Sequence, residues 1–69
     1  MTEEEFKKKA RYLVDKYITD SSLSDELRKT IDEKGSSAAK GILHKITISS
    51  DEIDAADGKV FKDIAFYFA

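Results

Sequence analysis

Apolar side chains recur at Phe6, Ala10, Leu13, Val14 and Tyr17, the i, i+4, i+7, i+8, i+11 spacing of one helical face. Thr2 followed three residues later by Glu5 is a capping-box signature, so the pattern predicts a helix opening at Thr2. Glu3, Glu4 and Glu5 stand four residues before Lys7, Lys8 and Lys9, and Arg11 stands four before Asp15. On an exposed helix each such pair contributes about 0.2–0.5 kcal/mol. The polar run Thr19-Asp20-Ser21-Ser22 ends this helix. Ser22 or Ser24 is then expected to cap a second helix, with Leu23, Leu27 and Ile31 on its apolar stripe and Lys34 and Gly35 closing it.

A third helical pattern starts at Ser36 or Ser37 and places Ala39, Ile42, Leu43 and Ile46 together, with Gly41 costing about 1 kcal/mol relative to alanine. From Lys45 onward the pattern shifts toward strand formers, with Ile46-Thr47-Ile48 alternating and Val60 to Phe68 rich in β-branched and aromatic residues. Ser49 to Gly58 reads as a short capped helical turn between them. Pairing Ile46 with Phe66 and Ile48 with Ile64 gathers His44, Ile46, Ile48, Ile64, Phe66 and Phe68 on one face. The expected fold is therefore α+β, with two or three N-terminal helices packed on a C-terminal antiparallel β-ribbon. The alternative is a small all-α bundle in which one helix from Asp51 carries Ile53, Ala56, Val60, Phe61, Ile64, Tyr67 and Phe68. That alternative leaves Gly58 inside the helix, Asp57 in the apolar stripe and Phe66 outside it.

Length changes the picture in one respect: 69 residues allow a single domain, residues 1–69, whose one core is small. The chain is 41% hydrophobic and 38% charged, which fits a folded chain rather than a disordered one. Without cysteine it has no disulfide to reinforce that core, and thiol chemistry, Fe–S clusters and thiolate zinc sites are excluded. The acidic start Glu3-Glu4-Glu5 lacks the basic and apolar regions of a signal peptide, so the chain is expected to be soluble and cytoplasmic, with no membrane partner. Net charge is −2 and evenly spread, with 8 basic and 9 acidic side chains in residues 1–34 and 4 and 5 in residues 35–69. Lysine, isoleucine, aspartate and serine usage without tryptophan or proline suits a small microbial or phage protein.

Candidate chemistry is sparse. A single imidazole, His44, excludes multi-histidine metal sites, and no G-x-S-x-G elbow surrounds a serine. The acids Asp51, Glu52, Asp54 and Asp57 before Gly58 fail the calcium-loop spacing, because Ile53, Ala55 and Ile64 fall on ligand positions. Lys34 to Gly41 looks like a phosphate-cradling loop, but its glycines and lysine do not match the Walker spacing. A helix-turn-helix over Leu27 to Ile46 would put Lys34, Ser36 and His44 where apolar residues belong. The expectation is accordingly no catalysis, no metal and no cofactor.

The function expected from these residues is a non-enzymatic protein–protein interaction module or regulator, acting by surface occupation or self-association, the latter through the free edge of the ribbon. Its partner is another protein or a second copy, and Phe61, Tyr67, Phe68, Lys45 and Thr47 are the candidate interface residues. The alternative is a small nucleic-acid-associated regulator whose Lys34, Lys40, His44 and Lys45 converge on one surface.

Overall fold

A computed structural model describes all 69 residues as helices and short connections. Helix α1 spans Glu3–Tyr17, α2 Ser21–Lys34, α3 Ala39–Ser49 and α4 Ala55–Phe68, with a 3₁₀ turn over Gly35–Ala38 leading into α3. No helix is long and apolar enough to cross a membrane.

The N-terminal half forms much as its pattern requires. Thr2 Oγ1 accepts the Glu5 N–H at 3.1 Å and starts α1. Asp20, rather than Ser22 or Ser24, caps α2 by accepting the Leu23 N–H at 3.0 Å. The carboxylate is the better acceptor at a positive helix end. Phe6, Ala10, Leu13, Val14 and Tyr17 of α1 meet Leu27 and Ile31 of α2 and Ala39, Ile42, Leu43 and Ile46 of α3 in one core.

Glu3, Arg11 and Asp15, expected in intrahelical charge pairs, make contacts between elements. Arg11 pairs with Asp32 and Asp15 with Arg28, two bridges that join α1 to α2 side by side. Glu3 turns to Ser36, accepting its backbone N–H at 2.7 Å and its hydroxyl. Those two bonds, Ser36's hydroxyl foremost, hold the Glu3 carboxyl below its ordinary 4.5, with Lys7 adding to the effect. Gly35 makes the approach possible. Its φ of 59° and ψ of −142° suit only glycine, and a Cβ there would strike the Glu3 carboxylate.

The β-ribbon does not form; residues 45–49 complete α3 and residues 55–68 make α4, so the fold is a small all-helical bundle. In a helix, Ile46 shares a face with Ala39, Ile42 and Leu43 and is fully buried, while Thr47 donates its hydroxyl to the Leu43 carbonyl at 2.9 Å. The few tenths of a kcal/mol lost per β-branched residue, about 0.5 kcal/mol, are small beside that burial. A two-stranded ribbon would also have left its edge groups unpaired, whereas a helix satisfies its backbone internally. The ribbon edge offered above as a site of self-association is therefore absent. Ile48 and Phe66, expected on the inner face of the ribbon, point outward, 66% and 83% exposed.

Candidate functional site

Helix α4 is held to the rest of the bundle in two ways. Ile64 enters the core completely, and Val60, Phe61, Ala65 and Phe68 pack against that core half-buried. The Phe68 ring closes edge-on against Phe6, centroids 5.3 Å apart. At the other end of the helix lies Asp57, a carboxylate only 4% exposed.

Asp57 is surrounded by donors from α1. Tyr17 donates to Oδ2 at 2.6 Å, Lys16 Nζ to the same oxygen at 2.7 Å, and Tyr12 to Oδ1 at 2.8 Å. The spacing explains the convergence, since Tyr12 and Lys16 stand one turn apart on α1 and Tyr17 follows directly. Lys16 also reaches Asp54 Oδ2 at 2.9 Å and lies 5.8 Å and 5.6 Å from the Tyr12 and Tyr17 ring centroids. Tyr17 Oη in turn accepts the Asp54 N–H at 3.0 Å, one of the donors a helix N-terminus leaves open.

The charges in this cluster stabilise one another. The Lys16 ammonium, and then the Tyr17 and Tyr12 hydroxyls, lower the Asp57 carboxyl to about 2. Asp57 first and Asp54 second raise Lys16 well above its ordinary range. Burial, reinforced by Asp57, pushes the Tyr17 phenol up. Every buried side-chain polar atom has a partner. The cluster is thus a closed polar latch between α1 and the start of α4, with its hydrogen bonds spent on structure.

A second feature lies between α3 and α4. Lys40, Gly41, Leu43 and His44 of α3, with Thr47, face Phe61 and Ala69 across an open groove of about 570 Å³. Four residues singled out in the sequence, Lys40, His44, Thr47 and Phe61, are brought together here, although they were drawn from two separate candidate sets. Lys45 is exposed elsewhere on α3, and Lys34 is exposed at the end of α2; neither lines the groove. Phe68 is taken up by its packing on Phe6. Tyr67 is 57% exposed and stands edge-on to Phe66, centroids 5.3 Å apart. Phe66 was missed as a surface residue because the ribbon pattern put it inside. Its position outside the stripe of a single C-terminal helix was the signal that could have found it.

No protein family, curated protein or solved structure matches the chain.

Proposed function

We propose that this protein is a non-enzymatic interaction module that binds another protein through the outer surface of the α3–α4 hairpin. The observation that carries this reading is the pair Phe66 and Tyr67 on α4, two adjacent aromatic rings 83% and 57% exposed. Aromatic side chains are enriched at the centres of interfaces, where each buries a large area with little loss of rotamer freedom. The polar latch supports the same reading, because it fixes α4 from behind while those rings remain available. The cytoplasm is the proposed compartment, in keeping with a cysteine-free chain.

Affinity capture with the tagged chain, run with nuclease and beside a Phe66→Ser, Tyr67→Ser double variant, tests this. A stoichiometric protein partner held by the parent chain and lost from the variant is expected. Identical capture by both chains would overturn the reading.

A second reading, a nucleic-acid-associated regulator, is supported by α3 itself, which holds Lys40, His44 and Lys45 and no acidic residue. Phosphate binding of that kind weakens steeply with salt. An oligonucleotide mobility shift that fades as salt rises would favour it, and no shift at low ionic strength would remove it.

A further inference from the structure

Thirteen apolar side chains form the buried core, and twelve of them lie between Phe6 and Ile46; Ile64 is the one supplied by α4. The first three helices are also tied together without α4, by the Arg11–Asp32 and Arg28–Asp15 bridges and by Glu3 on Ser36. Helix α4 is attached differently. Val60, Phe61, Ala65 and Phe68 lie half-buried against the core, and every side-chain hydrogen bond between α4 and another element is made to Asp57. The connector from α3, residues 50–54, is non-helical and leaves Ser50 with extended backbone.

Asp57 makes that attachment conditional. A carboxylate this far from water is tolerated only while its charge is met, and three donors of α1 meet it. Lys16 is the one full positive charge among them, and its side chain is 40% exposed. Once the donors separate, the carboxylate gains more from water than from its seat, and the first turn of α4 goes with it. An apolar residue at position 57 would have no such second state.

We propose that α4 is a latched arm on a three-helix body, a conformational device whose docked state is controlled by the Lys16–Asp57 contact. Docked, the arm holds Phe61 against α3 and the Phe66–Tyr67 pair in place; released, it carries those rings away and removes one wall of the groove. This goes beyond the interaction reading and is tested without a partner.

The chain has no cysteine, so a single buried thiol reports release. Ile64→Cys and Ile31→Cys replace fully buried residues of the arm and of the body, and their reaction with an aromatic disulfide reagent is followed in urea below the unfolding transition. The thiol at position 64 is expected to react about tenfold faster or more, with a shallower dependence on urea, because release exposes less surface than unfolding does. Two substitutions of exposed side chains then separate the states. Lys16→Ala removes a contact missing from both the released and the unfolded chain, so it should accelerate both thiols, by about tenfold. Arg28→Ala removes a contact that the released state keeps, so it should accelerate Ile31→Cys by up to about fivefold and leave Ile64→Cys unchanged.

Three results would overturn the device: equal urea slopes at the two positions, equal acceleration of both thiols by Arg28→Ala, or an Ile64→Cys rate indifferent to Lys16→Ala. Where circular dichroism shows Ile64→Cys unfolded, Ala65→Cys, half-buried on the same arm, takes its place with the same expectations.

Discussion

Tyr17 Oη stands 2.6 Å from Asp57 Oδ2, joining the last residue of α1 to the first turn of α4 across forty positions of sequence. With Lys16 and Tyr12 on the same carboxylate, this contact ties stability to pH. The folded value of Asp57, about 2, lies below its ordinary 3.8. Its stabilising contribution is therefore complete above the ordinary value and is lost as pH falls toward about 2, because the unfolded chain takes up the proton first. Glu3 is displaced in the same direction and loses its share in the same acid region. Asp57→Asn should lower the urea midpoint at neutral pH and make its acid decline shallower, with the Glu3 part remaining. Parallel acid declines in parent and variant would refute the assignment.

The two ends of the glycine scale should respond in opposite directions. Gly35→Ala forces a side chain into a glycine-only conformation and against the Glu3 carboxylate, and the backbone strain alone costs about 1–3 kcal/mol. Gly58 sits in the first turn of α4 with nothing within 4 Å of an added methyl. Gly58→Ala should raise stability by about 0.5–1 kcal/mol through helix propensity and reduced freedom of the unfolded chain. Urea melts of both variants decide the signs.

The bridges Arg11–Asp32 and Asp15–Arg28 lie in solvent, each side chain about half exposed. Arg11→Ala and Arg28→Ala should each lower stability by about 0.2–1 kcal/mol, and molar salt should erase most of the difference. A double-mutant cycle on Arg28 and Asp15 measures the coupling directly. A loss unaffected by salt would mean that the arginine stem, rather than its charge, supports α2.

Neighbouring residues of α4 should behave very differently. Ile64 is fully buried, so Ile64→Ala removes core volume at a cost of about 2–5 kcal/mol, comparable with the whole stability of so small a domain. Phe66→Ser removes a ring that touches little of the folded chain and should leave the melting temperature within a few degrees of the parent. A ribbon would have buried both residues on one face, so equal losses would argue against a helical α4.

The part of the fold readable in the sequence is the part whose periodicity has one interpretation. Phe6 to Tyr17 matches a helix and nothing else, and the buried positions of α3 were legible as far as Ile46. The region after Lys45 has two. Ile46-Thr47-Ile48 alternates as a strand does, yet the same isoleucine completes the helical stripe of Ala39, Ile42 and Leu43, and only the packing of α1 decides between them. Asp57 misled for a related reason. A carboxylate in an apolar stripe counts against a helix until the hydroxyls of Tyr12 and Tyr17 and the ammonium of Lys16 are seen to converge on it. Those three residues were visible in the sequence, but their convergence depends on how α1 and α4 meet. The groove residues were named separately as aromatic anchors and as anion contacts; what joined Lys40, His44, Thr47 and Phe61 was the return of α4 along α3.

Only Asp57, in the first turn, and Ile64, past the middle, are buried among the residues of α4. Such a helix is suited to open as a unit while α1, α2 and α3 stay assembled, a sub-global event that hydrogen exchange resolves from complete unfolding. Its amides should therefore exchange ahead of those in α1. A ligand that bridges α3 and α4 would slow that exchange, so its occupancy would be reported in the amides around Asp57, at the far end of the helix from Phe68.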